Sequence, residues 1–327
     1  MPALSRRNVI RTTLSAAAFA ALPRGLRAQG FPARPIRVII PLAAAGATDV
    51  AIRMVLDEMG RELGQTFVVE NQPGASGLVG MRSGARAAAD GYTILGVNDS
   101  IMTMLPTMKD AVGYDPVADF SPITQLVKIN FALIAHPSFA AGNVRDLIRM
   151  AKEKPGVIDY ASGGPGSPQH VAMELLTHAT DIKLNHVPYR GVAQAFNDVV
   201  AGHVPLMITG LPSPNEFINK GQLKLLGITS AQRSQVFPNQ GTISEQGVAG
   251  YNFTTYAALV APAKAPPDVI ALLNASAIKA TNSPSIHKRL SAMGFEIIAN
   301  SPAEFAGALK EGLAKYSELS KAANIRL

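Results

Sequence analysis

The sequence predicts an α/β protein whose two lobes enclose a ligand cleft and are joined by two hinge crossings. Three observations support this prediction. Short apolar segments alternate with helical segments along the chain, as in proteins built on mostly parallel sheets. The 327 residues are more than a single hydrophobic core usually organises. Two irregular stretches interrupt the alternation, at residues 114–122 and 233–250.

The alternation assigns the elements in order. Short apolar segments predict strands near residues 36–41, 66–70, 92–97, 131–135, 157–161, 184–187, 204–208, 223–229 and 254–260. Apolar residues at helical spacing predict helices near residues 48–63, 76–88, 144–153, 168–179, 192–201, 267–280, 284–292 and 302–322.

The irregular stretches divide the chain into lobes. A crossing near each stretch places residues 29–128 and 252–327 in lobe 1 and residues 129–251 in lobe 2. The sequence leaves two sequential domains open as an alternative.

Residues 1–28 have the pattern of a twin-arginine export signal that is cleaved after Ala28. Arg6 and Arg7 precede an apolar stretch over residues 12–22, which has the length of a signal-peptide core. A membrane-spanning helix needs ~20 apolar residues, so this stretch is too short to be one. We therefore expect a periplasmic protein, with an amphipathic or disordered tail as the alternative interpretation of this segment.

The charge distribution argues against nucleic-acid binding. The whole chain has a formal charge of +7, but residues 1–28 contain five arginines and no acidic residue, so cleavage leaves +2. No run of Lys or Arg occurs after residue 28. The absence of cysteine excludes disulfides, thiolate nucleophiles and cysteine metal sites. We expect neither a cofactor nor a metal.

Two strand-loop-helix units, at residues 35–55 and 157–176, are the candidate binding elements. Each carries a loop of small residues, the first loop at residues 42–46 and the second loop at residues 163–167. The first turn of a helix has unpaired backbone N–H groups at the positive end of its dipole, so a loop without bulky side chains lets an anion approach closely. The sequence therefore predicts that the two loops hold one small anion.

The first loop and the start of its helix offer backbone N–H groups from Ala44, Ala45, Gly46 and Thr48, together with the Thr48 hydroxyl. Asp49 is more ambiguous. Its carboxylate favours the helix dipole but would repel a bound anion. We expect it to fix the loop or to hold a bridging water, with direct ligand contact as the alternative.

In the second loop, Gly164 and Gly166 permit tight turns, and Ser167 either caps the following helix or donates to a carboxylate. His170 begins a series of polar side chains at i, i+4 and i+8, a spacing compatible with metal binding. No ligand from another element can be assigned, so a hydrogen-bonded histidine at the helix start is the better interpretation.

Two further segments complete the expected cleft. Ser76 and Gly77 begin another helix, and residues 189–191, the third loop, lead from a strand into a helix. Tyr189 and Gly191 are candidate ligand contacts, although Tyr189 would equally suit a hydrophobic core. Arg190 has the geometry to pair with a carboxylate, but we expect it to lie on the surface.

Seven segments occur in a characteristic order, namely FPARPIRVIIPLAAAGATD (31–49), VVENQPGASGLVG (68–80), ADGYTIL (89–95), YDPVADFSPIT (114–124), YASGGPGSPQH (160–170), HVPYRGVAQAFNDVVAGHV (186–204) and LVAPAKAPPDV (259–269). Together they resemble the Bug family, the periplasmic solute receptors of tripartite tricarboxylate transporters. The resemblance implies the two-lobed periplasmic binding protein fold, a small carboxylate ligand, delivery to membrane permease subunits, and no catalysis. We expect a monomer.

The first loop departs from the family pattern. Ala45 stands where the family usually has the first of two adjacent glycines, and Leu42 stands where phenylalanine is common. Alanine resists the positive φ that glycine accepts freely. The backbone of this loop, and with it the ligand, is therefore expected to differ from the commoner members.

Two other functions stay open at this point. A periplasmic sensory protein would have the same fold and cleft and would bind its ligand for signalling. A hydrolase would need Ser167 and His170 as nucleophile and base, but the sequence assigns them neither an acid partner nor an oxyanion hole. A dinucleotide site is disfavoured because Gly74, Gly77 and Gly80 lack the GxGxxG spacing.

Overall fold

The computed structural model describes residues 30–109 and 111–322, which from Arg34 onward form one compact unit. The export signal and its cleavage site lie outside the described residues. The strands are β1 (Ile36–Ile40), β2 (Phe67–Asn71), β3 (Thr93–Asn98), β4 (Phe120–Ala135), β5 (Asp159–Ser162), β6 (Asn185–Pro188), β7 (Leu206–Gly210), β8 (Lys224–Ile228), β9 (Thr254–Pro262) and β10 (Phe295–Ile297). The helices are α1 (Ala47–Leu63), α2 (Leu78–Ala85), α3 (Leu105–Met108), α4 (Val144–Glu153), α5 (Pro168–Thr180), α6 (Val192–Val200), α7 (Asn215–Asn219), α8 (Pro267–Asn282), α9 (Pro284–Ala292) and α10 (Pro302–Ala322).

All the predicted strands and helices are present, and the structure adds several elements. A π-helical turn over Ser100–Met104 continues into α3, and the short elements α7 and β10 were not predicted. Strand β4 begins at Phe120, about ten residues before the predicted strand at residues 131–135. Its first half contains a proline and buried polar residues, which hid it from an apolar pattern.

The prediction of mostly parallel sheets is wrong for the centre of the molecule. Among the described residues, ten strands form one sheet in the order β2-β1-β3-β9-β4-β7-β5-β6, with β8 and β10 also paired to β4. Pairing is parallel among β1, β2 and β3 and among β5, β6 and β7. Every pair that involves β4 or β9 is antiparallel. A chain that leaves one half and later returns must place oppositely directed strands side by side, whereas helical crossovers within each half keep the outer strands parallel.

The two halves of the sheet meet where β4 changes partners. Residues 120–130 of β4 pair with β9, and residues 131–135 pair with β7 and β8. The returning chain is bonded to the same point, because Thr229 donates its N–H to the Phe131 carbonyl and accepts an N–H from Phe253 through its own carbonyl. These neighbouring segments are the two hinge crossings of the two-lobed fold. The residues at which each lobe begins and ends stay a prediction.

Each half of the sheet has its own hydrophobic cluster. One contains the fully buried Ile39 and Phe305, and the other contains the fully buried Val199 and Met207. Each half of the sheet therefore packs around a hydrophobic cluster of its own. Among the helices of the described residues, none combines the length and the apolar character that crossing a bilayer requires.

Candidate functional site

A cavity of about 550 Å³ lies where the two halves of the sheet meet. The loops that follow β1, β2, β3, β5 and β6 surround it, and residues of β4, β7 and β9 form its floor. Ligands of open α/β sheets bind beyond the carboxyl ends of the parallel strands, which is where these five loops lie. Its size suits a small organic solute.

Nine of the thirteen residues predicted to bind ligand line this cavity, namely Gly46, Thr48, Asp49, Ser76, Gly77, Gly164, Ser167, Tyr189 and Gly191. The other four, Ala44, Ala45, Gly166 and His170, do not line it. Ala44 and Ala45 are exposed, whereas Gly166 is buried behind the cavity wall.

Asp49 holds the first loop together. Its Oδ2 accepts the Ala45 N–H at 3.0 Å, and both of its oxygens accept from Arg53 Nε at 3.0 and 3.1 Å. Asn71 donates to Asp49 Oδ1 at 2.9 Å and to the Leu42 carbonyl at 3.0 Å. Only 4 % of the Asp49 side chain is exposed. Its charge is therefore used within the protein, in agreement with the expected role of fixing the loop.

Ala45 adopts the backbone conformation that glycine would favour. Its φ is 64°, in the left-handed region, which costs roughly 1–2 kcal/mol for a residue with a Cβ. The bond from its N–H to Asp49 opposes this cost. The first loop of this protein thus keeps a glycine-like backbone with alanine in place.

The start of α1 offers unpaired backbone donors to the cavity. The N-cap residue is Gly46, which has no side chain to accept a bond from the helix. The first N–H paired within the helix is that of Val50, which donates to the Gly46 carbonyl at 3.0 Å. No described residue accepts from the N–H groups of residues 46–49. The Thr48 hydroxyl is also without a partner among the described residues.

The backbone N–H groups of the second loop are paired with neighbouring side chains. The Gly164 N–H donates to Ser162 Oγ at 3.1 Å, and the Gly166 N–H donates to His170 Nδ1 at 3.2 Å. Ser167 caps α5, because its Oγ accepts the His170 N–H at 3.4 Å. Capping occupies an oxygen lone pair and leaves the hydroxyl proton free to donate. The Ser167 hydroxyl is consequently the main donor that this loop presents to a ligand.

Behind the second loop, three rings form a stack. The ring of His186 lies between those of His170, at a centroid distance of 4.3 Å, and Tyr160, at 4.8 Å. Burial lowers the pKa of His170 and that of His186 to about 4, so both are neutral at pH 7. A neutral His170 can accept the Gly166 N–H at Nδ1, and this supports the expectation of a hydrogen-bonded histidine.

The side chains in this region do not have the arrangement of a hydrolase or a metal site. Ser167 contacts the backbone N–H of His170 and not its ring. Ser162 does lie 2.6 Å from His186 Nε2, but it is fully buried and does not line the cavity. Among the described residues, no group of three or more His, Cys, Asp or Glu side chains is placed to hold a metal ion.

Tyr189 and Arg190 of the third loop have different roles. Tyr189 lines the cavity and packs against the hydrophobic cluster of its half, while its hydroxyl donates to Asp198 Oδ2. Burial and the Asp198 carboxylate raise the pKa of Tyr189 to about 12. Arg190 is exposed, as expected, but it also lines the cavity and has no ion-pair partner among the described residues. It lies at the rim.

The start of α6 resembles the start of α1. Its N-cap residue is also a glycine, Gly191, and no side chain caps the helix. The first paired N–H is that of Ala195, which donates to the Gly191 carbonyl at 3.4 Å. The N–H groups of residues 191–194 have no acceptor among the described residues. Both uncapped helix starts contribute residues to the same cavity.

The two uncapped helix starts approach each other across the cleft. A Cβ added at Gly191 would lie 3.2 Å from Ala43 Cβ, and a Cβ added at Gly46 would lie 3.3 Å from Val192 Cγ1. Glycine at both N-caps makes this approach possible. Because each helix start is the positive end of a dipole, bringing the two together disfavours the closed arrangement unless a negative charge lies between them.

A hydrogen bond also connects the two sides at the rim. Ser76 Oγ donates to the Pro165 carbonyl of the second loop. Ser76 lies in a run of four residues with positive φ, from Gly74 to Gly77, and such strained backbone is common in segments that contact ligands or change conformation. The bond from Ser76 joins loops of the two halves of the sheet at the rim of the cavity.

The floor of the cavity was missed by the sequence analysis. It comprises Asn98, Ser100, Ile129, Phe131, Thr209 and Thr255. Asn98 and Thr209 lie at or near the carboxyl ends of β3 and β7, a position that could have identified them. Thr255 is near the start of an antiparallel strand, and no sequence signal marks such a residue.

Comparison with known proteins gives consistent results. Residues 51–325 match the family model described as tripartite tricarboxylate transporter family receptor. The structure of the periplasmic binding protein BugD is similar at a TM-score of 0.86 and 30% identity, over 90% of this chain and 99% of BugD. A Rhodopseudomonas palustris protein solved with adipate has a TM-score of 0.87 and 28% identity, over 90% of this chain and 99% of its own.

MatC from Rhodopseudomonas palustris, solved with bound malate, is similar at a TM-score of 0.84 and 25% identity, over 88% of this chain and 99% of MatC. The fold shared with these solved structures and the match to the family model indicate the same family. The predicted resemblance to the Bug receptors is confirmed, and the chain belongs to the receptor family of the tripartite tricarboxylate transporters.

Proposed function

We propose that this protein is a periplasmic receptor that binds a small carboxylate-containing solute and delivers it to the permease subunits of a tripartite tricarboxylate transporter. The observation that carries the proposal is the pair of uncapped helix starts, at Gly46 and Gly191, that face one cavity. A receptor requires a site that is complete only when the lobes close, and these two helices come from different halves of the sheet.

The site is suited to a carboxylate for an electrostatic reason. Each helix start carries roughly half a positive charge, and unpaired N–H groups can donate directly to carboxylate oxygens. The Thr48 and Ser167 hydroxyls add two further donors. Asp49 contributes little repulsion because Arg53 and Asn71 already contact its oxygens. The structures solved with adipate and with malate support the same ligand class.

The residue roles follow from the unpaired donors. In this proposal the N–H groups of Gly46 and Gly191 and the hydroxyls of Thr48 and Ser167 contact the carboxylate. Gly77, Gly164 and Tyr189 shape the wall, and Ser76 holds the closed form. Ala44, Ala45, Gly166 and His170 act by positioning the loops, because they do not line the cavity.

Export and closure complete the proposal. We infer that residues 1–28 direct twin-arginine export, on the sequence pattern alone. We also infer that lobe 1 (29–128 and 252–327) and lobe 2 (129–251) close about β4 and the segment around Thr229, because strand partners change there.

The proposal is tested by thermal-shift screening of the purified protein, without its signal, against a library of small carboxylates. A ligand that binds only the folded state raises its melting temperature. We expect a carboxylate to do so, and its uncharged primary amide or alcohol to have no effect. A strain that lacks the gene should lose uptake of the identified solute and regain it on complementation.

Two results would contradict the proposal. If no carboxylate in the library raised the melting temperature, the ligand class would be wrong. If a carboxylate bound but its uptake did not depend on the gene, the delivery role would be wrong and ligand sensing would become the better explanation.

A further inference from the structure

Asp49 is the single acidic residue among the described residues that line the cavity. A ligand that carries an ammonium group is best held beside a carboxylate, because a cation removed from water is costly without a negative partner. Only 4 % of the Asp49 side chain is exposed, so little of its carboxylate faces the cavity. Whether the receptor accepts an ammonium group therefore depends on how far the charge of Asp49 is already used.

The groups that contact Asp49 belong to the protein itself. Arg53, one turn further along α1, donates Nε to both carboxylate oxygens at 3.0 and 3.1 Å. Asn71, the last residue of β2, donates to Oδ1 at 2.9 Å, and the Ala45 N–H donates to Oδ2 at 3.0 Å. Arg53 Nη2 also donates to Asn71 Oδ1 at 2.6 Å, so Asp49, Arg53 and Asn71 form a closed ring of hydrogen bonds.

Arg53 is the counter-ion of Asp49 but is not part of the cavity wall. Its side chain is 41 % exposed, and it does not line the cavity. The two residues are four apart on α1, which places their side chains on one face of the helix. Arg53 consequently acts on a ligand only through Asp49, by balancing its negative charge from behind.

Another carboxylate lies near the cavity, but it does not line it. Asp99 directly follows β3 and accepts from the Thr103 hydroxyl at 2.5 Å. Burial raises its pKa to about 6, and the Thr103 hydroxyl and the positive charge of Lys315 oppose that rise. Asp99 is therefore held within its own half of the sheet and does not replace Asp49 as a partner for a ligand cation.

The charges that the cavity wall does present are positive. The uncapped starts of α1 and α6 each carry roughly half a positive charge. Arg190 is the single basic residue among the described residues that line the cavity, and it has no ion-pair partner among them. A carboxylate is attracted to this wall, whereas an ammonium group next to the carboxylate meets positive charge without a free anion.

We propose that the receptor selects carboxylates that carry no ammonium group over the corresponding amino acids, and that Arg53 is the positioning residue responsible, because it keeps the charge of Asp49 within the protein. This inference rests on the proposed function, since it narrows the carboxylate class by the charge on the rest of the ligand.

The test uses a carboxylate library arranged in pairs with the same carbon skeleton. Succinate is paired with aspartate, glutarate with glutamate, and 3-phenylpropionate with phenylalanine, and further acids are paired in the same way. At pH 7 each amino acid differs from its acid by one positively charged α-ammonium group. In every pair that binds, we expect calorimetry to show the acid binding at least about 10-fold tighter than the amino acid.

Arg53→Gln tests the residue itself, because it removes the cation and leaves the charge of Asp49 uncompensated. The acid should bind about 10-fold more weakly or worse, and the affinity ratio of acid to amino acid should fall by at least about 10-fold. Arg53→Lys keeps a cation at the same position and should retain most of the parent ratio. A purely structural role of Arg53 would instead weaken both ligands equally.

A second substitution keeps the test decisive if Arg53→Gln binds too weakly to measure. Adding Asp49→Asn to Arg53→Gln removes the uncompensated charge and should recover acid binding. Arg37→Gln is the matched control, because it removes an arginine from another half-exposed ion pair, with Glu70, and neither residue lines the cavity. It should leave the affinity ratio unchanged.

The outcomes separate this inference from the proposed function. An amino acid that bound as tightly as its paired acid would overturn the selection against ammonium groups and leave carboxylate binding in place. An unchanged ratio in Arg53→Gln, or no recovery in the double variant, would overturn the role of Arg53. If no acid in the library bound, the proposed function would fail, and this inference with it.

Discussion

The first loop and the second loop look alike in sequence but differ in what they offer a ligand. Both join a strand to a helix through small residues, yet α1 starts at Gly46 without a cap and α5 starts at Ser167, which caps it. The start of α1 leaves a row of N–H groups unpaired, whereas the second loop bonds its N–H groups to Ser162 and His170, and Ser167 accepts the His170 N–H of α5. The residue at the N-cap, more than the small size of the loop, therefore identifies an open anion site.

By this criterion the partner of the first loop is the third loop. Gly191 is an N-cap without a side chain, as Gly46 is, and the two helix starts touch across the cleft. The second loop contributes mainly a wall and the Ser167 hydroxyl.

Gly46→Asp should abolish binding while preserving the fold. An aspartate at the N-cap would accept from the free N–H groups of α1, which stabilises a helix by about 1 kcal/mol, and would place a negative charge where the ligand anion binds. Gly46 has a φ of −73°, which aspartate adopts readily, but its Cβ would lie 3.3 Å from Val192 Cγ1, so the side chain also opposes the close approach of the two helix starts. We expect affinity to fall by more than about 100-fold, as measured by calorimetry, with no loss of melting temperature.

Ala44→Asp is the control for Gly46→Asp. It adds the same charge to the first loop at an exposed position outside the cavity. If both variants lost binding equally, net charge would explain the effect and the open N-cap would not.

Thr48→Val and Ser167→Ala should separate binding from capping. Each removes one hydroxyl from a charged hydrogen bond, which is worth about 1.5 to 3 kcal/mol, so each should weaken affinity by about 10-fold to somewhat over 100-fold. Only Ser167→Ala also removes a helix cap and should lower unfolding free energy by about 1 kcal/mol. Equal stability of the two variants in urea titrations would contradict the capping role of Ser167.

The free energy of unfolding should depend on pH through His170, whose ring accepts the Gly166 N–H of the second loop. Its pKa is about 4 when folded and about 6.5 when unfolded, so as pH falls from 6.5 to 4 the unfolded state binds more protons and stability is lost. For this residue the loss between pH 7 and pH 5 is about 2 kcal/mol. Asp99 opposes it, because its raised pKa adds stability as pH falls through 6.

The His170→Asn variant isolates the effect, since Asp99 and His186 titrate in both proteins. An asparagine can accept the Gly166 N–H without titrating. Denaturation at pH 7 and pH 5 should show a smaller difference in unfolding free energy in the variant than in the parent. The same difference in both proteins would mean that His170 does not control this dependence.

Ala45→Gly should have the smallest effect. It relieves a positive φ at about 1–2 kcal/mol but increases the entropy of the unfolded chain, so a net gain of about 0.5 kcal/mol is expected. Ala44→Gly is the control, because Ala44 is not among the residues with positive φ and should gain nothing. A thermal melt compares the two, and destabilisation by Ala45→Gly would mean that the first loop is not strained.

The parts of the fold that could be predicted are those whose cause is local. The helices over residues 144–153 and 302–322 follow from apolar periodicity and appear as α4 and α10. The first half of β4 could not be predicted, because its buried polar residues are satisfied by distant partners. Gln125, for example, accepts a bond through its side chain from Asn300 and donates its backbone N–H to the same residue.

The residues of the candidate site likewise divide into those that a local pattern predicted and those that only distant contacts place. Gly46 and Gly191 were found because the rule for helix starts concerns neighbours in the chain. The support of the two loops was decided by side chains that arrive from elsewhere, such as Asn71, which donates to the Leu42 carbonyl of the first loop, and His186, which lies 2.6 Å from the Ser162 hydroxyl beneath the second loop. Thr255 was missed because only strand pairing brings it beneath the cleft.

Residue type and local spacing were enough to indicate the family, the α/β elements and the small loops at helix starts. The mixed sheet and the facing starts of α1 and α6 depend instead on contacts between segments that are distant in the chain. Hydrogen-bond satisfaction likewise belongs to the folded protein as a whole. A donor such as the Gly46 N–H is open or occupied according to what the rest of the chain places beside it.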